Sequence, residues 1–125
     1  MQDAQNKHEA SKVRSYRILQ AARDKATKEN GYNSQAARTQ FIDAFRDRMS
    51  LNPYPWQVDA TEAVTLGLDT VVIAGTGAGK TMPFVMPLLI DKRKQSIVIS
   101  PLKALQADHV CSCVSFTGML YYSYS

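Results

Sequence analysis

The pattern of apolar and polar positions predicts two amphipathic helices in the first 50 residues. From Ala4 to Lys28, apolar residues recur at helical spacing among Ala, Lys, Arg and Gln. Asn30-Gly31 is expected to end this helix. Asn33 or Ser34 is expected to cap a second helix that runs to about Met49. This N-terminal α-helical segment carries no catalytic motif, so packing or an accessory contact is its predicted role.

Residues 51–110 form a second predicted region, in which short β-branched runs alternate with helices. Asn52-Pro53-Tyr54-Pro55 breaks the helical pattern and marks the boundary. Strand, helix and strand within about thirty residues predict a βαβ unit of a parallel sheet, so the expected fold class is α/β. Pro87 is expected to kink or end the helix between the strands, because proline lacks an N–H. The expected elements are a helix over 56–66, a strand over 70–74, a helix from residue 80, a strand over 96–100 and a short helix over 102–110.

Residues 111–125 differ in character from the rest of the chain. They contain no Asp, Glu, Lys or Arg and show no helical period. We therefore expect this tail to be a divergent segment, the end of a truncated product or an artefact of the gene sequence.

Composition and charge add limits to this picture. Apolar residues make up 45% of the chain and charged residues 21%, as in ordinary globular proteins. No apolar run is long enough to span a membrane and no signal-peptide core is evident, so an intracellular protein is expected, nuclear if eukaryotic. Residues 1–50 hold ten Lys and Arg against six Asp and Glu, whereas residues 51–125 hold five of each. A basic helical segment suits nucleic acid, but charge alone favours a solvated surface of mixed sign.

The stretch Val71–Thr81 carries the strongest candidate chemistry. A β-branched run enters a glycine-rich turn, and the turn closes on Lys80-Thr81 at the predicted start of a helix. Glycines let the backbone wrap an anion, while successive N–H groups and the helix N-terminus supply positive potential. Lys80 is expected to reach the β- and γ-phosphates of a nucleotide, and the Thr81 hydroxyl to ligate Mg²⁺. The predicted cofactor-binding residues of this loop are Thr76, Gly77, Ala78, Gly79, Lys80 and Thr81.

Residues 53–110 resemble the beginning of the first RecA-like domain of superfamily 2 helicases of the DEAD/DEAH-box type, and most of all the RecQ-like DNA helicases. The phosphate loop has Ala74 where the general P-loop pattern has glycine, but it matches the helicase form A-x-x-G-x-G-K-T. Pro53-Tyr54-Pro55-Trp56-Gln57 is similar to the family's glutamine motif, and the resemblance implies that Gln57 reads the adenine edge. Trp56 and Tyr54 either flank the adenine or pack the helix.

A third block, Ile97–Gln106, is similar to motif Ia of these helicases. There a strand end and a helix start grip the backbone of the nucleic acid, which carries no base information. The resemblance therefore implies nucleic-acid contacts at Ser100, Pro101, Leu102 and Lys103.

The resemblance implies a partial P-loop NTPase domain that uses ATP and Mg²⁺ and binds nucleic acid, DNA rather than RNA, with no membrane. Whether the chain is an enzyme stays open, because the family's Asp-Glu box and second RecA-like domain are not found in it. We expect it to bind ATP and nucleic acid but not to hydrolyse ATP or unwind strands alone. Two alternatives remain: a non-catalytic DNA- or protein-interaction module with a vestigial P-loop, and another kind of P-loop NTPase.

Overall fold

Four helices and one pair of strands make up the regular structure of the described chain. The computed structural model describes residues 1–75, 79–80, 82–91, 93, 96–100 and 119–123, the last two ranges as backbone. Within these residues, no helix has both the length and the apolar character that crossing a membrane requires. The elements are α1 (Gln2–Asn30), α2 (Ser34–Met49), α3 (Pro55–Thr65), α4 (Met82–Ile90), β1 (Ser96–Ser100) and β2 (Met119–Ser123).

The boundary between the first two helices lies at the residues that their sequence signals indicate, whereas α1 begins at Gln2, two residues before the predicted start at Ala4. Gly31 follows α1 in the left-handed conformation (φ 66°) and donates its N–H to the last turn of the helix. Asn33 caps α2, because its side chain accepts a hydrogen bond from the N–H of Ala36 at 3.1 Å. The two helices are thus joined by a short connection, which brings the start of α2 close to the end of α1.

The core lies where α2, α3 and α4 pack against one another. Phe41 and Phe45 of α2, Val58 of α3 and Met86 of α4 form one buried cluster. Each of these side chains is at most 6% exposed. Burying such side chains stabilises a fold by roughly 1.5–3 kcal/mol each, so this cluster holds the three helices together.

Helix α4 contains two prolines, Pro83 and Pro87. Pro83 lies in the first turn, where its missing N–H costs no intrahelical bond. The helix runs through Pro87 to Ile90, so of the two expected effects of this proline, a kink or an end of the helix, the end is wrong. Pro87 is buried, and its carbonyl accepts the N–H of Asp91 at 3.1 Å. Packing against α2 and α3 therefore outweighs the local cost of the proline.

The predicted α/β fold, with a βαβ unit entering the phosphate loop, is wrong: the described chain is mainly helical. Residues 70–74 form no strand, and the side chains of Val71 and Ile73 are 88% and 95% exposed. β-branched residues favour a strand only when a neighbouring strand and a buried face are present. The only strand pairing in the described residues joins β1 to β2 in parallel, with Ser96 opposite Met119 and Ser100 opposite Ser123.

Candidate functional site

Gln57 is held in place by the start of its own helix. Pro55 occupies the first turn of α3 and presets its backbone. The Gln57 side chain reaches back, and its Oε1 accepts the backbone N–H of Tyr54 at 2.8 Å. The Gln57 N–H in turn donates to the Tyr54 carbonyl at 3.0 Å. This reciprocal arrangement fixes the amide of Gln57, which is only 3% exposed.

The same amide joins α3 to the glycine-rich segment. Gln57 Nε2 donates to the carbonyl oxygen of Gly79 at 3.0 Å, across 22 residues of sequence. Gly79 has φ 75°, and a Cβ at this position would lie 2.5 Å from Gln57 Nε2. Position 79 therefore needs glycine for two reasons, the left-handed backbone and the close approach of the amide. Two residues that the sequence predicts as nucleotide ligands, Gln57 and Gly79, are brought together.

Lys80 ties the end of the glycine-rich segment back to its beginning. Its Nζ donates to the carbonyl oxygen of Ala74 at 2.9 Å. The ammonium group has three N–H donors, so this bond leaves donor capacity for an anion. The side chain of Lys80 is exposed. The chain thus closes into a loop whose ends meet at Ala74 and Lys80.

Helix α4 begins directly after this loop. The N–H of Met82 donates to the Gly79 carbonyl at 3.2 Å, so that carbonyl accepts two hydrogen bonds, one from α4 and one from Gln57. Thr61 of α3 links the same helices further along, since its hydroxyl donates to the Gln57 carbonyl at 2.6 Å and lies 3.3 Å from the sulfur of Met86. The positive end of α4 is therefore held beside Gln57 and Gly79.

The remaining predicted ligands fall mainly outside the described residues. They are Thr76–Ala78, residues 101–103 and Thr81, which is the predicted Mg²⁺ ligand. Ser100 is the last residue of β1, described as backbone. Trp56 is half-buried and lines a groove of about 630 Å³ between α1 and α3, while Tyr54 is 61% exposed.

A buried carboxylate that the sequence reasoning missed lies on the same helix as Gln57. Glu62 is fully buried, and four side chains from residues 1–50 converge on it. Arg23 Nε donates at 2.8 Å and Arg38 at 3.1 Å to one oxygen, while the Tyr32 hydroxyl, at 2.8 Å, and Ser34 donate to the other. A sequence signal existed, because Glu62 lies four residues after the buried Val58 and thus on the inner face of α3.

These contacts set the protonation of the cluster. Burial by itself would raise the pKa of Glu62, but hydrogen bonds from Arg23, Ser34 and Tyr32 outweigh it and lower that pKa. Burial and the hydrogen bond to Glu62 raise the pKa of Tyr32, so its hydroxyl remains a donor. The carboxylate is therefore charged and fully hydrogen-bonded, which is the condition under which a buried charge is tolerated.

Asp59, one turn earlier on α3, makes the neighbouring contacts. It pairs with Arg38 at 2.7 Å and accepts the Tyr16 hydroxyl at 2.9 Å. The hydrogen bond to this carboxylate is the main reason why the pKa of Tyr16 is raised. Two of the ten cations that make residues 1–50 basic, Arg23 and Arg38, are thus used inside the protein.

Comparisons with known proteins agree with the family indicated by these residues. The profile of the family described as DEAD/DEAH box helicase matches residues 54–123, more than half of the chain. A protein named DEAD-box ATP-dependent RNA helicase 43 from Arabidopsis thaliana is 37% identical over 54 residues, which are 43% of this chain and 10% of that protein. DEAD-box ATP-dependent RNA helicase 35 from the same plant is 29% identical over 58 residues, 46% of this chain and 10% of that protein. The chain spans about a tenth of the length of these relatives. No solved structure matches.

Proposed function

Because this chain belongs to the DEAD/DEAH box helicase family, we propose that it is a nucleotide- and nucleic-acid-binding part of an ATP-dependent helicase. The observation that carries the proposal is the hydrogen bond between Gln57 and Gly79. It places the helix of the glutamine motif directly against the glycine-rich loop, although the two are 22 residues apart. The ATP dependence in the names of the two relatives supports the same ligand.

The described residues fit a nucleotide phosphate. Gly79 has a left-handed backbone with no room for a Cβ, and Lys80 keeps donor capacity at an exposed position. The N-terminus of α4 follows and adds positive potential. In the proposal, residues 76–81 hold the phosphates, Lys80 offsets their charge and Thr81 ligates Mg²⁺. Bound Mg²⁺ would offset the negative charge of the β- and γ-phosphates.

Gln57 is proposed to contact the adenine with its remaining hydrogen-bonding capacity. Its amide already accepts from Tyr54 and donates to Gly79, while an amide has two N–H donors and two lone pairs in total. One N–H and one lone pair therefore remain, and since Gln57 is 3% exposed, they reach a base only when the atoms that cover the amide move aside. Contact with adenine in this way leaves the link between α3 and the loop intact.

Binding without hydrolysis is proposed for these 125 residues. Hydrolysis needs a group that orients the attacking water, and the acidic residues after Thr81 are Asp91 and Asp108 alone. Of these, Asp91 hydrogen-bonds Arg93 at 3.1 Å at the end of α4. We therefore assign the orientation of the attacking water to no group on the described residues.

For the polymer, we propose a nucleic acid held by its backbone at residues 100–103, as the resemblance of this block to motif Ia implies. The relatives are named as RNA helicases, so RNA is the preferred candidate, and the narrower expectation of a RecQ-like DNA helicase gains no support from them. Fluorescence anisotropy with RNA and DNA oligonucleotides of one sequence compares the two. Lys103→Ala is expected to weaken binding to either polymer and to reduce the salt slope by about 1, as loss of one phosphate contact does.

Titration of the purified chain with a fluorescent ATP analogue and Mg²⁺ tests the nucleotide site. We expect saturable binding that Lys80→Ala weakens at least tenfold, because that ammonium group offsets phosphate charge. Lys7→Ala is the matched control, since Lys7 is also an exposed lysine but lies on α1. Equal weakening by both variants, or no binding by the wild type, would overturn the proposal.

A further inference from the structure

The contacts of Glu62 connect residues 1–50 to the proposed nucleotide site. We propose that Glu62 is a positioning residue, through which α1, α2 and their connection fix α3 so that the Gln57 amide meets Gly79. The inference rests on the proposed function, because the site being positioned is the nucleotide site. It gives the N-terminal segment a role within that site.

The geometry of α3 makes this coupling direct. Glu62 and Gln57 are five residues apart on one short helix, so they lie about 7.5 Å apart along its axis and move as one unit. The Gln57–Gly79 hydrogen bond is 3.0 Å long, and such bonds are lost beyond about 3.5 Å. In the opposite direction, Gln57 Nε2 already lies 2.5 Å from the place that a Cβ of Gly79 would take, so a closer approach of α3 would press the amide against the Gly79 backbone. A displacement of α3 by about 1 Å is therefore enough to break the link or to force a clash.

Glu62 is placed to prevent such a displacement. Its donors come from α1 (Arg23), the connection (Tyr32) and the first two turns of α2 (Ser34 and Arg38). Donors on both carboxylate oxygens restrict rotation of the helix as well as its translation, because a different pair of donors holds each oxygen. Asp59 adds a second ion pair to Arg38 on the same helix.

Stability alone is a poor account of this cluster. Replacing a buried ion pair by apolar residues is often neutral or stabilising, so burial of Glu62 is weak evidence for a net gain in stability. The apolar cluster of Phe41, Phe45, Val58 and Met86 already joins α2, α3 and α4. Apolar contacts do not fix the orientation of α3, whereas hydrogen bonds of defined geometry do.

The variants Glu62→Gln and Arg23→Gln test the inference in the full 125-residue chain. Both are expected to raise the dissociation constant of the fluorescent ATP analogue about tenfold under conditions in which urea titration shows them to be folded. Emission of Trp56, the only tryptophan and the neighbour of Gln57, is expected to shift as α3 moves. Arg23→Lys keeps the charge but not the forked donor group, so it is expected to recover part of the affinity.

Leu19→Ala is the matched control, because it removes a buried apolar contact of α1 without touching a donor to Glu62. If the cluster served stability alone, folded samples of every variant would bind nucleotide as the wild type does, and that result would overturn the inference. Arg23 lies at a partly exposed position and carries the test by itself should Glu62→Gln not fold. Absence of binding by the wild type would instead reject the proposed function, and the inference with it.

Discussion

Replacing Gly79 by alanine would test the contact on which the site depends. Gly79 has φ 75°, a backbone conformation that costs an L-residue about 1–2 kcal/mol. The new Cβ would also lie 2.5 Å from Gln57 Nε2, so the amide must move. Gln57 is 3% exposed, and a buried donor left without its partner costs about 1–3 kcal/mol. The free energy of unfolding is therefore expected to fall by about 2–5 kcal/mol.

Gly31→Ala provides the matched control for this variant. Gly31 has φ 66°, but a Cβ there would meet no atom within 4 Å. Its replacement is expected to cost only the backbone contribution of about 1–2 kcal/mol. The difference between the two glycines measures the approach of Gln57 to the loop.

Urea unfolding followed by far-ultraviolet circular dichroism gives both free energies, and nucleotide titration of the folded samples gives the effect on binding. In a Gln57→Ala background, Gly79→Ala is expected to cost no more than Gly31→Ala does, because the clashing amide is gone. Equal losses of unfolding free energy for the two glycine variants in the wild-type background would refute the close approach of Gln57 to Gly79 and the hydrogen bond between them.

Two further variants test the helical core and the buried carboxylate. Met86 is 1% exposed, so Met86→Ala should lower the free energy of unfolding by about 2–5 kcal/mol. Ile90 lies on the same helix and is 39% exposed, so Ile90→Ala should lower that free energy by less than about 1 kcal/mol. Equal losses for the two variants would contradict the described core. The lowered pKa of Glu62 means that its charge stabilises the fold above the ordinary value of 4.5 and that this contribution is lost as the pH falls through the lowered pKa. Unfolding free energies measured from pH 7 to 3 should therefore fall at the acid end in the wild type and fall less in Glu62→Gln, and identical profiles would show that Glu62 is not the group responsible.

The sequence was most informative where local chemistry decides the structure. Gly31 ends α1 because it accepts a left-handed backbone, and Asn33, one of the two predicted cap residues, begins α2 because its side chain accepts a free N–H; both signals are local. Pro87 shows the limit of such signals, because α4 continues through it where packing on α2 and α3 dominates.

Features that depend on distant partners were not predictable from local pattern. The β-branched run over 70–74 has strand-forming residues, yet a strand forms only when another strand supplies hydrogen bonds, and none does so in the described residues. Glu62 likewise has no special sequence context apart from its place on the inner face of α3. Its donors are 24 to 39 residues away. For the candidate site, the sequence identified Gln57 and Gly79 as separate motif residues but not the hydrogen bond that joins them.

The separation between Arg23 and Glu62 has a consequence for the order in which the chain is completed during synthesis. The two residues are 39 positions apart, so at roughly 5–20 residues per second a growing chain contains Arg23 for about 2–8 s before Glu62 is added. Late in that interval, once residue 49 has been added, α1 and α2 are complete but lack the carboxylate that their inward-facing cations bind. Most of the stability of helices in proteins comes from tertiary packing, so the N-terminal part of a nascent chain needs α3 before it acquires a fixed arrangement.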